Sequence, residues 1–356
     1  KIGLYQHGMN WDWGKVRDYW LEADKLGFYS GWMMDNVVYE DLQTGDMLPV
    51  WETWTVLSIL AEITDNIRIG PMVTPCRRRN PCLLAKQAAC IDLISGGRLD
   101  LGIGTGDDPM YFVPWGQDYP TAPNRVKYLS EEIEIIKRIW TEKEVDFEGE
   151  YYTLSKATAD PKPKQKPHIP VWVGLVMGRK LMPKLAARQA DGINIYNASD
   201  RATQELLALV RETCEEIGRD YRSIPKSRSV NVIMTDGTFD VNTYRTVIDG
   251  SIPHVIGTPE ELSREVTATL DEQFARVKAA DEHELHSIYS RITERHVIGT
   301  PAEIADELQE IAGEEFEEVI IHGINSIEDM HKFARSVVIP DDKQMEVRLI
   351  ASKYID

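Results

Sequence analysis

SGGRLDLGIGTGDD, residues 95–108, joins an apolar run to three alternating glycines and two carboxylates. The apolar half reads as a buried strand. Gly102, Gly104 and Gly106 recur at every second position and so leave one face of that strand bare. In a barrel strand such a face admits a close-lying ligand or backbone. The pattern is not a dinucleotide-binding fingerprint, because G-x-G-x-x-G is absent and no helix opens at the last glycine.

Working outward, similar apolar runs alternate with segments of helical period. KIGLY, SGWMMD, IRIGPMVT, RLDLGIGTG, IPVWVGL, GINIY, SVNVIMT and FEEVIIHG read as eight strands, separated by stretches such as WGKVRDYWLEADKLGF and VKYLSEEIEIIKRIW. Continuous apolar strands alternating with helices imply a parallel sheet covered by helices. Eight is the number that closes a (β/α)8 TIM barrel, with an open doubly wound sheet as the alternative. Two connections exceed ordinary length: residues 107–123 after strand four and 236–295 after strand seven. Insertions there cap a binding site. The Pro/Lys stretch at 159–170 reads as a surface loop, so residues 1–356 form one domain. HVIGTP occurs at 254 and again at 296. Both copies read as helix starts, with Thr258 and Thr300 as N-caps and Pro259 and Pro301 at the first helical position.

The net charge of −18 argues against nucleic acid or an anionic membrane surface as a partner. No apolar run approaches the roughly 20 residues of a membrane span. KIGLYQHGMN lacks the parts of a signal peptide. Cys76, Cys82, Cys90 and Cys214 show no C-x-x-C spacing, so they read as reduced structural thiols of a cytoplasmic protein. No other metal-ligand pattern is present.

The strand ends collect chemistry. Strand one ends near His7, strand two at Asp35 and Asn36, and strand three at Met72, Val73 and Thr74, followed by Arg77, Arg78 and Arg79. Strand four ends at Thr105, Gly106 and Asp107. Strand five ends at Gly174 and Gly178 beside Arg179 and Lys180, where small residues, backbone donors and cations suit a phosphate. Tyr196 and Asn197 end strand six, and His322 ends strand eight. The three arginines serve either an anionic ligand or ordinary ion pairs. Trp11, Trp13 and Trp115 wall a pocket or pack in the core.

VTPCRRRNPCLLAKQAACIDLISGGRLDLGIGTG resembles strand three, the next helix and strand four of the bacterial luciferase-like monooxygenase superfamily. FEGEYYTL, PVWVGL, ARQADGINIY and GTPAEIADELQEIAGEEFEEVIIHG support the likeness, which spans nearly the whole chain except 236–295. The resemblance implies a (β/α)8 barrel that binds reduced FMN or the deazaflavin F420 at the C-terminal strand face, and a homodimer. It implies that Asp35 and Asn36 lie beside the ring, and that Met72–Thr74 carries a bulge or non-prolyl cis peptide beneath it. Gly104, Thr105, Gly106, Tyr196 and Asn197 would border the ring, while Gly174, Gly178 and Arg179 hold the phosphate. His7, Asp107 and Asn36 become the catalytic candidates. The family often has histidine where this chain has Asn36, and an amide does not titrate. The first expectation is a monooxygenase using O2 and reduced FMN supplied by a separate flavin reductase, acting on a small organic substrate. The alternative is an F420-dependent hydride-transfer oxidoreductase, and a further alternative is a non-catalytic flavin-binding barrel subunit.

Overall fold

A computed structural model describes residues 1–40, 46–106, 108–176, 180–196, 198–235, 296–313 and 315–337. The eight expected strands are present as β1 (Ile2–Gln6), β2 (Ser30–Met33), β3 (Arg68–Pro71, resuming at Thr74–Pro75), β4 (Leu101–Gly104), β5 (Val171–Leu175), β6 (Gly192–Tyr196), β7 (Lys226–Met234) and β8 (Glu318–His322). Among the described residues a helix follows each of them: α1 (Trp13–Lys25), α2 (Thr53–Ile63), α3 (Pro81–Ile94), α4 (Ala122–Thr141), α5 (Leu181–Gln189), α6 (Asp200–Ile217), α7 (Pro301–Ala312) and α8 (Ile327–Val337). Local signals set the helix starts. Asn80 accepts from the N–H groups of Cys82 and Leu83 ahead of Pro81. Thr300 is the N-cap expected of the second HVIGTP and forms a reciprocal capping box with Glu303; the first copy lies outside the described residues.

Parallel pairing runs β3–β2–β1–β8–β7–β6–β5–β4, and the first and last strands of the barrel meet at Ile2↔Val319. The seam between β3 and β4 is irregular. The Ile69 N–H donates to the Arg98 carbonyl and the Asp100 N–H to the Ile69 carbonyl, both at 2.9 Å. Thr74 then pairs with Ile103, and the Cys76 N–H donates to the Gly104 carbonyl at 2.7 Å. Between these contacts lies Met72–Val73, joined by a cis peptide bond. A TIM barrel is thus observed, its ring completed through this interrupted strand.

Side chains fill the barrel in layers. Glu318, Ser30, Arg68 and Asp100 interact at the N-terminal end. Trp32 and Trp172 meet edge to face above them, with ring centroids 6.1 Å apart. A second core lies between the strands and the helices, where Val16, Leu57, Ile136, Leu207 and Phe333 are fully buried. Each such side chain contributes about 1.5–3 kcal/mol.

Three elements were not expected from the sequence. A hairpin pairs Val145–Glu148 with Thr153–Ala157, a shorter one pairs Tyr39–Glu40 with Met47–Leu48, and His296–Gly299 adds a parallel strand beside Asn231–Met234 of β7. The connection after β4 carries two short 3-10 turns, Pro109–Tyr111 and Val113–Trp115. Residues 236–295, expected as an insertion, lie outside the described residues. No described helix is long and apolar enough to cross a membrane.

The alternating glycines have a concrete neighbour. A Cβ on Gly102 would strike the Pro71 carbonyl oxygen, and one on Gly104 would lie 2.7 Å from Val73 Cγ2. The bare face therefore accommodates the interrupted strand β3, and Val73 occupies the space at Gly104 that the sequence reading gave to a ligand. Gly102→Ala is accordingly expected to destabilise the protein by about 1–3 kcal/mol or more, as overpacking against rigid backbone does. Urea denaturation checks this, and an unchanged midpoint would refute the tight fit.

Candidate functional site at the C-terminal mouth of the barrel

Inward residues at the strand ends form the floor of the mouth. Tyr5, Met72, Gly174, Tyr196, Asn231 and His322 come from six strands or strand exits. Val73 lies across one side of this floor: Cγ2 fills the place of a Gly104 Cβ, and Cγ1 would stand 3.3 Å from a Cβ on Gly174. The Ser229 hydroxyl approaches Met72 Sδ at 3.7 Å. The Met72–Val73 segment thus forms an apolar ledge spanning β4 and β5.

The opposite side is aromatic. The His322 ring stacks on Tyr5 with centroids 4.1 Å apart and planes 18° apart, and lies 4.8 Å from the Tyr196 ring. His7, half-buried in the loop after β1, sits edge-on to Tyr5 at 4.8 Å and 6.1 Å from His322. Burial and the neighbouring His7 hold the His322 imidazole well below its ordinary pKa, so it is neutral. Burial raises the Tyr196 phenol, while its hydrogen bond with Asn231 opposes the shift.

Asp35, which the resemblance sets beside the ring, is engaged by protein donors. It is 1% exposed, and its carboxylate accepts from Arg79 at 2.6 and 3.1 Å, from the Thr74 hydroxyl at 2.8 Å and from Trp54 Nε1 at 3.2 Å. Thr74, itself buried, also accepts from Trp54 Nε1 at 2.9 Å. With these donors in place, Asp35 and the Thr74 hydroxyl act within the protein, joining the exits of β2 and β3. Arg79 extends the link to Glu52, the N-cap of α2. Burial alone would lower the Arg79 pKa, but Asp35 and Glu52 outweigh it and raise the value.

The other two arginines also hold loops. Arg77 pairs with Asp118 and donates to its backbone carbonyl, and Arg78 donates to the Tyr111 carbonyl at 3.0 Å while lying over the Phe112 ring. Arg77 and Arg79 thus serve ion pairs, while Arg78 is held by a backbone carbonyl and an aromatic ring. Gly106 adopts φ +73°, and a Cβ there would come within 2.6 Å of Phe112, which requires glycine at this turn. Thr105 is half-buried, and its carbonyl lies 3.7 Å from the Cys76 thiol. Asn36 is half-buried at the β2 exit. Asp107, Gly178, Arg179 and Asn197 lie outside the described residues. Trp11 and Trp51 are joined by an indole-to-carbonyl hydrogen bond of 2.8 Å, Trp13 meets Trp51 edge to face, and Trp115 is exposed.

The sequence reading missed Glu132. It is fully buried on α4, accepting from the Arg77 N–H at 2.7 Å and the Tyr152 hydroxyl at 2.6 Å. This fixes Arg77 at φ +66°, where the chain turns away from the mouth. Burial raises its pKa to about 7, against the opposing effect of Tyr152 and Arg77. The signal was available, since Glu132 lies within the apolar stripe of Leu129, Ile133, Ile136 and Trp140. Cys76 is buried beside it, and desolvation pushes its thiol pKa up, which leaves it unreactive.

A family model for luciferase-like monooxygenases matches residues 2–317. An F420-dependent glucose-6-phosphate dehydrogenase of Segniliparus rotundus is 28% identical over 300 residues, covering 80% of this chain and 86% of the relative. The Kineococcus radiotolerans enzyme of the same name is 27% identical, with 82% of each chain covered. Among solved structures, an F420-dependent secondary alcohol dehydrogenase in complex with an F420–acetone adduct superposes with a TM-score of 0.76 at 19% identity, covering 95% of this chain and 98% of the other. An EDTA monooxygenase from Chelativorans superposes with a TM-score of 0.72 at 17% identity, covering 95% and 92%. These structural likenesses carry the fold. With its barrel, its interrupted third strand and a family match over residues 2–317, the chain is an oxidoreductase that belongs to the luciferase-like monooxygenase family.

Proposed function

We propose that the chain is an F420-dependent oxidoreductase that transfers hydride between the deazaflavin and a small organic substrate bearing a hydroxyl or carbonyl group. The observation that carries this reading is the similarity, over about four fifths of the chain, to relatives named as F420-dependent dehydrogenases. The FMN- and O2-dependent reaction, set first in the sequence analysis, gives way to its alternative, since monooxygenases match here through fold at low identity.

The mouth suits a flat ring. Met72 and Val73 supply an apolar ledge, and a Cβ on Gly174 would meet Val73 Cγ1 alone at 3.3 Å, so no side chain covers that strand end among the described residues. In this reading the ring rests on the ledge near Thr105, Gly106 and Tyr196, while Gly174, with Gly178 and Arg179 from the sequence argument, holds the phosphate. When bound, the 5-deaza ring supplies a carbon that accepts or gives hydride and does not readily activate O2. Asn36 cannot take a proton, so the hydroxyl proton passes to the His7 imidazole. Asp107 keeps its candidacy from the sequence.

Purified protein titrated with F420 and, separately, with FMN tests the reading through quenching of each cofactor's fluorescence. F420 is expected to bind more tightly, and glucose 6-phosphate or a secondary alcohol to bleach its band near about 420 nm. Tighter FMN binding, with O2 consumed when reduced FMN is supplied, would restore the monooxygenase reaction.

A further inference from the structure

His322 raises a question that the fold alone does not answer. It is the last residue of β8, alternating inward with Ile320 and Glu318, and it is only 3% exposed. Among the described residues, neither Nδ1 nor Nε2 has a hydrogen-bond partner. The polar groups around it are engaged, the Tyr196 phenol with Asn231 among them. Buried polar atoms are ordinarily paired, and an unpaired one is costly unless a ligand or water completes it. The ring is also firmly placed, with Tyr5 on one face and the rings of Tyr196 and His7 nearby.

We propose that His322 is the side chain that holds the reacting oxygen of the substrate in the mouth of the barrel, an inference that rests on the hydride-transfer reading above. The position at a strand end, the two buried, unpartnered nitrogens and the adjacent His7 all favour it. Tyr5, Tyr196 and His7 face the ring among the described residues, with no carboxylate among them, so the imidazole keeps one N–H to donate. A neutral imidazole polarises a carbonyl without giving up its proton. In the oxidative direction, the substrate C–H bond breaks and its electron pair leaves as hydride to the deazaflavin-class acceptor. The O–H bond breaks and its proton goes to His7. The C=O bond forms while the oxygen still accepts from the His322 N–H.

The test compares wild type with His322→Phe and His322→Asn, the second retaining an N–H donor if the first fails to fold. Each is loaded with F420 and assayed with glucose 6-phosphate and with 2-propanol. His322→Phe is expected to bind F420 as wild type does and to lose about 10²-fold or more in kcat, with His322→Asn recovering part of the loss. In F420-loaded wild type, the 15N signal of the His322 ring is expected to move on addition of acetone, the carbonyl probe. A folded His322→Phe protein with wild-type kcat, or a ring signal that stays still, overturns the assignment and leaves hydride transfer standing. Wild type that binds F420 but oxidises neither substrate removes both.

Discussion

Arg79→Ala is expected to lower the stability of the protein by about 3–5 kcal/mol, the usual consequence of removing one partner from a buried ion pair. The Asp35 carboxylate is 1% exposed and takes two of its hydrogen bonds from the Arg79 guanidinium. Without that cation it would remain buried with only Thr74 and Trp54 as donors. Arg79 also reaches Glu52, whose pKa is lowered because its hydrogen bonds with Thr55 and the charge of Arg79 outweigh burial. The variant should therefore loosen three things together: the β2 exit, the β3 exit and the start of α2. Arg79→Lys should recover only part of the loss, since an ammonium cannot replace a two-pronged contact. Asp35→Leu combined with Arg79→Met removes both charges and should lose less than Arg79→Ala alone. Urea denaturation of the three variants at one pH decides the matter. If Arg79→Ala stays within about 1 kcal/mol of wild type, the pair behaves as an exposed salt bridge does.

That pair shows where reading from sequence succeeds and where it stops. The eight strands were legible because a strand buried on both faces is written as an unbroken apolar run, as in Val171–Leu175. The hairpin of Val145–Glu148 and Thr153–Ala157 escaped because its residues are mostly exposed and polar, so neither period stood out. His296–Gly299 was read only as the lead-in to a helix cap, since four residues carry too little pattern to announce a strand. The site was legible as a set of strand ends and less so as a set of roles. Asp35 and Arg79 lie 44 positions apart, and only the fold reveals that they satisfy each other. The glycines of β4 could signal a ligand or a backbone, and the choice rested on where Pro71 and Val73 pass. His322 could be located from sequence, but its two unpartnered nitrogens could not be seen there.

The opposite end of the barrel carries the second large effect, and its sign differs from the usual behaviour of carboxylates. Glu318 is 3% exposed, and its side chain accepts from the Ser30 hydroxyl. Ser30 in turn accepts from Trp32 Nε1 at 2.7 Å. Burial raises the Glu318 pKa to about 7; the Ser30 hydrogen bond opposes this and the nearby Asp100 adds to it. Asp100 is held by Arg68 through contacts of 2.6 and 2.8 Å. An unfolded glutamate titrates near 4.3, so between that pH and about 7 the folded chain holds a proton that the unfolded chain has released. Stability from this group is therefore complete below about pH 4 and is lost as pH rises through about 7, a change of roughly 4 kcal/mol. Glutamine keeps the shape and the acceptor oxygen but cannot ionise. The stability of Glu318→Gln relative to wild type is thus expected to grow by about 2–3 kcal/mol between pH 5 and pH 8. Glu132 loses stability in the same direction, and taking the difference between wild type and the Glu318 variant cancels its contribution. Urea denaturation across pH 5 to 8 measures that difference directly. A difference that does not grow with pH would mean that Glu318 is already ionised in the folded protein at pH 5. Because this layer lies at the N-terminal end of the strands, away from the mouth, the proposed F420 binding should follow the wild-type titration in the same variant.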